Sequence, residues 1–155
     1  MKVLAVIDMQ NDFISGALGT FAAQAIVPAV RRRIAEARAA GETVVFTLDT
    51  HTSAYPQTQE GRKLPVPHCI RGTDGWKLEE SLDATGCRVF EKPGFGSPEL
   101  IEYLKSLPNL TEVEFVGLCT DICVITNVFM LKGALPEVVI RVRANACAGV
   151  TPESH

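Results

Sequence analysis

The chain has 155 residues, of which 46% are hydrophobic and 21% are charged, with a formal net charge of −3. This length suffices for one domain with a sizeable core. The longest basic run, Arg31–Arg33, is too short for a nucleic-acid surface, and no segment approaches the roughly 20 apolar residues of a membrane span. The N-terminal apolar run is too short for a signal peptide, and five cysteines, an odd number, favour free thiols in a cytoplasmic protein.

Short apolar segments alternate with amphipathic segments along the whole chain. The pattern predicts strands at 3–7, 43–47, 87–90, 112–116 and 137–142, and helices near 24–40, 97–106 and 121–133. This alternation is typical of an α/β fold, a three-layer, doubly wound and mostly parallel sheet with helices on both faces. The carboxyl ends of parallel strands share one edge, which is the usual position of a ligand crevice.

Three chemically active side chains follow predicted strands. Asp8 comes directly after the first strand, Lys92 follows the third, and Cys123 lies at the start of the helix after the fourth. A helix N-terminus and a nearby ammonium both lower the pKa of a thiol, so this position favours a reactive cysteine. The alternatives at this point are an ion pair between Asp8 and Lys92 at the sheet edge and an ordinary buried Cys123.

A second group of polar residues lies in the long connection after the second strand. Asp49 and His51 are two residues apart, so in an extended segment their side chains project to one side. His68 follows later, and Glu60 lies between them. Two imidazoles with one or two carboxylates suit Zn²⁺, and also Mn²⁺ or Fe²⁺. The connection is about thirty residues long, which itself favours a functional role.

The segments Ala5–Phe13 (AVIDMQNDF) and Gly117–Val124 (GLCTDICV), with Lys92 between them, resemble the cysteine hydrolase superfamily of nicotinamidases and isochorismatases. The resemblance extends over nearly the whole chain and implies an isochorismatase-like hydrolase fold. It implies a triad in which Asp8 takes the thiol proton, Lys92 steadies the charges and Cys123 attacks a carbonyl carbon. It also implies a cis peptide bond between Leu118 and Cys119, with the backbone N–H groups of Cys119 and Cys123 as the oxyanion hole.

Asp49, His51 and His68 match the metal ligands of nicotinamidases, and Glu60 falls where some members supply a further ligand. In that family the metal binds a ring nitrogen of the substrate and orients the amide. Phe13 matches the aromatic residue that packs against the substrate ring. The chain departs from many nicotinamidases just before His68, where it has Leu64–Pro67 in place of a stacking tryptophan.

The end of the chain is unusual for this family. Thr151, Pro152 and Glu153 have the features of a helix start, but no helical sequence follows. We expect a single isochorismatase-like domain over residues 1–155 that lacks the C-terminal helix and strand of its relatives. The last strand would then have an uncovered face and edge, which favours a homo-oligomer.

These observations predict a metal-assisted cysteine amidohydrolase that acts on nicotinamide or a related small carboxamide. An isochorismatase-like hydrolase of another small substrate is the first alternative. A noncatalytic ligand-binding scaffold, or a redox protein that uses Cys119 and Cys123, is the second. Cys-x-x-x-Cys differs from the Cys-x-x-Cys redox pattern.

Overall fold

A computed structural model describes residues 1–155. Five strands form one sheet in the order β3-β2-β1-β4-β5, and every neighbouring pair is parallel. The strands are β1 (Lys2–Ile7), β2 (Thr43–Asp49), β3 (Arg88–Lys92), β4 (Glu112–Leu118) and β5 (Val139–Ala148). The predicted α/β class is therefore confirmed.

Five helices connect or flank the strands: α1 (Asn11–Ile14), α2 (Phe21–Ala39), α3 (Gln59–Lys63), α4 (Pro98–Ser106) and α5 (Ile125–Ala134). Two of the helices that connect the strands begin with a side-chain hydroxyl cap. The Thr20 hydroxyl accepts the N–H of Ala23 at the start of α2, and the Ser97 hydroxyl accepts the N–H of Leu100 at the start of α4. None of the helices combines the length and apolar character that a membrane-spanning helix requires.

Alternating side chains of the strands divide the interior into two apolar cores. Leu4 and Val6 of β1 belong to the core under α2, whereas Val3, Ala5 and Ile7 belong to the core under α4 and α5. A strand that is apolar at every position can pack helices on both of its faces. This is why the uninterrupted apolar run of β1 becomes the centre of a three-layer structure.

Strand β5 differs most from the prediction, since it has ten residues and continues to Ala148. Much of its length is exposed, so hydrophobic alternation did not show its extent. Salt bridges help to hold it: Arg141 Nε lies 3.2 Å from Glu112, and Arg143 Nε lies 2.7 Å from Glu114. The short helices α1 and α3 were also absent from the prediction, because four or five residues carry too little periodicity.

The order in which strands are added to the sheet reverses at β1. The chain first adds β2 and β3 on one side of β1 and then crosses over to add β4 and β5 on the other side. A crevice opens at the carboxyl ends of the strands where such a reversal occurs. The residues that follow β1, β2, β3 and β4 therefore converge on one place.

Candidate active site

Asp8, Lys92 and Cys123 meet at this crevice. Lys92 Nζ lies 2.6 Å from Asp8 Oδ2 and 3.4 Å from Cys123 Sγ, and it donates to the Gly94 carbonyl oxygen at 3.0 Å. Asp8 is fully buried, Lys92 is 1% exposed and Cys123 is 6% exposed. Asp8 Oδ2 accepts no well-directed hydrogen bond, so its attraction to the ammonium is mainly ionic. The Lys92 ammonium thus lies against both the carboxylate of Asp8 and the thiol of Cys123.

The turn that carries Cys123 depends on close contact between β4 and β1. Gly117 has φ +112°, and a Cβ there would lie 2.1 Å from the Ile7 carbonyl oxygen. Only glycine permits this approach. A cis peptide bond joins Leu118 and Cys119, as the family resemblance implied. Cys123 then lies in a π-helical turn, Thr120–Val124, that leads into α5.

A buried asparagine ties this turn to the loop after Lys92. Asn127 is fully buried in α5, and its Nδ2 donates to the carbonyl oxygens of Cys123 at 2.8 Å and Phe95 at 3.3 Å. Its Oδ1 accepts the N–H of Ser97 at 2.9 Å. The amide therefore fixes the backbone of the cysteine turn relative to the lysine loop.

The charges of this group depend on burial. Burial raises the pKa of Asp8, although Lys92 opposes the shift. Burial alone would lower the pKa of Lys92, but its interactions with the acidic groups Asp8, Cys123 and Asp49 raise it overall. Burial, together with the carboxylate of Asp8, raises the pKa of Cys123 well above its ordinary value despite the opposing effect of Lys92. The expectation of a lowered thiol pKa is wrong for this structure, because burial and Asp8 outweigh the ammonium.

A second group of ligand-type side chains lies beside the first. Asp49 is the last residue of β2, and its Oδ2 lies 2.9 Å from His51 Nε2 and 3.5 Å from His68 Nε2. All three residues are buried. His68 Nδ1 donates to the Val66 carbonyl oxygen at 2.8 Å, which leaves Nε2 to face the other two residues. One ligand atom from each of the three lies within 4.8 Å of the others, a possible metal site.

Glu60 completes the mixed nitrogen and oxygen set. Its Oε1 lies 3.8 Å from His51 Nε2 and 3.6 Å from His68 Nε2. Glu60 is in the first turn of α3, where the Thr58 hydroxyl accepts the Gly61 N–H. The group of Asp49, His51 and His68, with Glu60 beside it, offers two imidazoles and two carboxylates, a donor set that suits Zn²⁺, Mn²⁺ or Fe²⁺.

Asp49 belongs to both groups. Its Oδ2 faces the histidines, whereas its Oδ1 lies 3.5 Å from Lys92 Nζ. Burial alone would raise the pKa of Asp49, but hydrogen bonds with His51 and His68 and the charge of Lys92 lower it overall. Asp49 is therefore an anion in this arrangement.

The backbone of Asp49 is held by a buried side chain. Gln10 Nε2 donates to the Asp49 carbonyl oxygen at 2.9 Å and to the Trp76 carbonyl oxygen at 2.8 Å, while its Oε1 accepts the Asp49 N–H at 2.8 Å. Gln10 is fully buried. The amide thus joins the segment after β1 to the end of β2 and to the long loop.

A cavity of about 260 Å³ connects the thiol with the ligand-type residues. Cys123 and Cys119 lie on its wall together with Asp49, Glu60 and His68. The rest of the wall is mostly apolar, with these residues: Phe13, Leu18, Thr20, Ala23, Leu64, Phe95, Leu118, Ile122, Gly149 and Val150. The Phe13 ring centroid is 5.5 Å from that of His68. A ligand in this cavity would contact the thiol, the polar cluster and an apolar surface together.

The structure brings together all the residues that the sequence singled out. Asp8, Lys92 and Cys123 form one cluster, Asp49, His51, His68 and Glu60 form the next, and Phe13 and Cys119 line the cavity between them. Sequence reasoning missed the supporting polar residues Gln10, Thr47 and Asn127. A usable signal was a polar residue within an apolar strand or buried helix, as at Thr47 in the β2 sequence TVVFTLD.

Comparison with known proteins defines the class. The isochorismatase domain matches residues 2–155, and the chain belongs to this family. It is 32% identical over 142 residues to the nicotinamidase/pyrazinamidase of Mycobacterium tuberculosis, an alignment that covers 80% of this chain and 75% of that protein. The family resemblance is confirmed, and the chain is a nicotinamidase-like hydrolase.

Solved structures agree with this class. The crystal structure of a nicotinamidase from Bacillus subtilis is 30% identical with a TM-score of 0.83 and covers 99% of this chain and 90% of that one. The crystal structure of N-carbamoylsarcosine amidase from Thermoplasma acidophilum is also 30% identical, with a TM-score of 0.84, and covers 99% of this chain and 87% of that one. Hydrolases named for different amides therefore share this fold with the chain.

Proposed function

We propose that this protein is a metal-assisted cysteine amidohydrolase that converts nicotinamide or a related small carboxamide to the acid and ammonia. The observation that carries the proposal is the cluster in which Lys92 Nζ lies 2.6 Å from Asp8 Oδ2 and 3.4 Å from Cys123 Sγ. This cluster opens on a cavity whose other polar wall holds Asp49, His68 and Glu60. These contacts support the assignment of Cys123 as nucleophile, Asp8 as proton acceptor and the Asp49 group as the substrate-orienting side of the cavity.

In the first half of the proposed reaction, Asp8 takes the proton from the Cys123 thiol. The sulfur then attacks the carbonyl carbon of the amide, and a carbon–sulfur bond forms as the carbonyl oxygen becomes an oxyanion. We assign the backbone N–H groups of Cys119 and Cys123 to this oxyanion. Asp8 returns the proton to the amide nitrogen, the carbon–nitrogen bond breaks, and ammonia leaves an acyl-thioester on Cys123.

In the second half, Asp8 takes a proton from a water molecule, which attacks the thioester carbonyl. The carbon–sulfur bond breaks and the acid is released, and Asp8 returns its proton to the sulfur, which restores the thiol of Cys123. Lys92 stays protonated throughout, because its pKa is raised by the negative groups around it. Its role is to stabilise whichever of Asp8 and Cys123 carries the negative charge.

Asp49, His51, His68 and Glu60 would hold a divalent metal ion, with Zn²⁺ the first candidate. When bound, such an ion supplies a Lewis-acidic site that can bind a donor atom of the substrate and orient its amide. The donor set fits this assignment, since His68 presents Nε2 to the centre and Asp49 is an anion there. Phe13, at the edge of the cavity, is assigned to the substrate body.

An ammonia-release assay on a panel of carboxamides tests the proposal. We expect nicotinamide or pyrazinamide to release ammonia with protein loaded with Zn²⁺, Mn²⁺ or Fe²⁺, and Cys123→Ala protein to release none. N-carbamoylsarcosine belongs in the panel, because a hydrolase named for it shares 30% identity with the chain. Absence of ammonia from every amide would reject the amidohydrolase proposal.

The redox alternative has less support from the site. Burial, together with Asp121 and Asp8, raises the pKa of Cys119 to about 12, and the pKa of Cys123 is also raised. Thiol–disulfide exchange needs a thiolate, so neither residue is poised for it at neutral pH. Reversible loss of two thiols on mild oxidation, without amide hydrolysis, would favour the redox reading.

A further inference from the structure

Thr47 is a polar residue inside a strand that is otherwise apolar at its centre. It is 1% exposed and lies in β2 opposite Ile7 of β1 and Phe90 of β3. A buried hydroxyl costs stability unless it forms hydrogen bonds. Both hydrogen bonds of this hydroxyl go to a single residue, Asp8: it donates to Asp8 Oδ1 at 2.6 Å and accepts the Asp8 N–H at 3.2 Å.

The contact gives the two carboxylate oxygens of Asp8 different surroundings. Oδ1 is occupied by the Thr47 hydroxyl, whereas Oδ2 faces Lys92 Nζ at 2.6 Å and accepts no well-directed hydrogen bond. Turning the carboxylate out of this plane would break the bond to Thr47. The hydroxyl therefore holds the carboxylate plane in one orientation, with one oxygen bonded to Thr47 and the other turned toward Lys92.

The backbone of Asp8 is also held by Thr47. The φ of Asp8 is 47°, in the left-handed region, which Asp adopts more readily than most residues with a side chain. The Asp8 N–H also bonds to the Thr47 carbonyl oxygen at 3.2 Å. Thr47 thus contacts the main chain and the side chain of the residue that turns away from the end of β1.

We propose that Thr47 is a positioning residue for the proton transfer that generates the nucleophile, an inference that rests on the proposed function. In this step the S–H bond of Cys123 breaks and an O–H bond forms at Asp8 Oδ2, while the electron pair of the S–H bond remains on sulfur. Thr47 keeps its own proton and touches neither sulfur nor substrate. Its hydroxyl occupies one carboxylate oxygen and orients the group so that the other receives the proton.

The position of Thr47 separates this role from substrate binding. It is absent from the residues that line the cavity, and Asp8 lies between it and the lysine. Loss of the hydroxyl should therefore lower kcat while KM changes little. Disturbed packing of β2 would instead change stability, or alter Asp49 at the end of the same strand and raise KM.

The test compares Thr47→Val, which keeps the shape and removes the hydroxyl, with Thr47→Ser, which keeps the hydroxyl. Thr43→Val makes the same chemical change at the other end of β2 and serves as the control. We expect Thr47→Val to lower kcat about tenfold to a hundredfold, the range for a hydrogen bond to a charged group, with KM within about twofold of wild type. Thr47→Ser should stay within about threefold of the wild-type kcat, and Thr43→Val should match wild type.

A second measurement does not depend on turnover. Alkylation of Cys123 by iodoacetamide also requires loss of the thiol proton, so Thr47→Val should slow it several-fold and Thr47→Ser should not. Suppose that wild-type protein hydrolyses no amide, while Thr47→Val is alkylated more slowly than wild type and Thr47→Ser is not. In that case the proposed reaction fails and the role of Thr47 stands. Thr47→Ala replaces Thr47→Val in both measurements if the valine variant does not fold.

Two results would overturn the inference. One is a Thr47→Val enzyme with wild-type kcat and a wild-type alkylation rate. The other is an equal loss in Thr47→Val and Thr47→Ser, or a loss confined to KM, since packing rather than the hydroxyl would then explain it.

Discussion

This protein has two buried charge clusters, one around Glu114 and one around Asp8, and the two carboxylates have different surroundings. Glu114 in β4 is held on both oxygens, by Arg33 Nε at 2.6 Å and Arg143 Nε at 2.7 Å, and Arg33 also pairs with Glu42. Asp8 has a single ammonium at 2.6 Å. Burial favours a raised pKa at Glu114, but its two arginines lower the pKa overall, whereas at Asp8 burial prevails and the pKa is raised.

The difference lies in how many positive groups serve each carboxylate. Two planar guanidinium groups satisfy the oxygens of Glu114 directly. The Lys92 ammonium is shared among Asp8, Asp49 and Cys123. A fully compensated carboxylate stays ionised and ties α2 and β5 to β4, while an undercompensated one can exchange a proton. The first cluster is suited to stability and the second to chemistry.

The largest effect should come from removing the nucleophile. We expect Cys123→Ala to lower amide turnover by roughly four orders of magnitude or more, because no acyl-thioester can form. The measurement is ammonia release, with circular dichroism and metal content as checks on the fold. Cys119→Ala is the matched control and should retain most activity, because its proposed role uses only the backbone N–H. Wild-type-like turnover in Cys123→Ala would remove the assignment.

The next prediction compares the two carboxylates directly. Asp8→Asn should lower kcat by about a hundredfold to ten-thousandfold, because an amide cannot accept the thiol proton. Glu114→Gln makes the same change in the other cluster and should leave kcat unchanged while lowering the free energy of unfolding. Steady-state kinetics and urea denaturation separate these outcomes. Equal kinetic effects in the two variants would contradict the division between chemistry and stability.

Loss of the metal ligands should have a smaller effect. We expect His68→Ala to weaken binding of Zn²⁺ and raise KM at least tenfold, because the ion would help to hold the substrate. Glu60→Gln should have a weaker effect, since water can reach and replace a partly buried carboxylate ligand. Isothermal titration with the metal and kinetics on loaded protein provide the measurements. A full metal complement in His68→Ala would refute the predicted ligand set.

The raised pKa of Cys123 predicts slow modification of the resting enzyme. Its alkylation should be slow at neutral pH and accelerate as pH rises, because a raised pKa leaves little thiolate at pH 7. Mass spectrometry after timed exposure to iodoacetamide at several pH values gives the rate for each cysteine. A rate at Cys123 that has already reached its plateau below pH 7 would show a lowered pKa instead.

The smallest predicted effect concerns acid stability. The pKa of Glu114 is lowered in the folded state, so its contribution to stability is present above the ordinary value of 4.5 and is lost as pH falls through the folded-state value. Glu114→Gln should flatten the pH dependence of unfolding below pH 4.5 relative to wild type. Denaturation midpoints between about pH 3 and pH 6 test this. An unchanged slope in the variant would show that other groups dominate.

Sequence reasoning was most successful where the pattern is local. The apolar run at 3–7 predicted β1, and the predicted helix at 97–106 corresponds to α4 (Pro98–Ser106). The positions of Asp8 and Lys92 just after predicted strands were visible for the same reason. Parallel strand ends share an edge, so their convergence required no knowledge of the loops.

Properties that depend on three-dimensional surroundings could not be predicted in the same way. The pKa of the Cys123 thiol depends on the burial of this residue and on the nearby charge of Asp8, and the local sequence predicts neither of them. The extent of β5 depends on salt bridges to β4 across 29 residues of chain. The roles of Gln10 and Asn127 depend on distant backbone groups, such as those of Trp76 and Ser97, that only the folded chain brings to them.

The cavity wall has two parts with different origins. Cys123 and Asp49 belong to the end of the sheet and the turns fixed to it, whereas Leu64 and Phe95 lie in connecting segments and Val150 follows β5. Replacing a side chain on a connecting segment alters the shape offered to a ligand without displacing a strand. The fold therefore permits redesign of the compounds admitted, for instance by enlarging or narrowing the wall at Leu64, while the reacting groups keep their spacing.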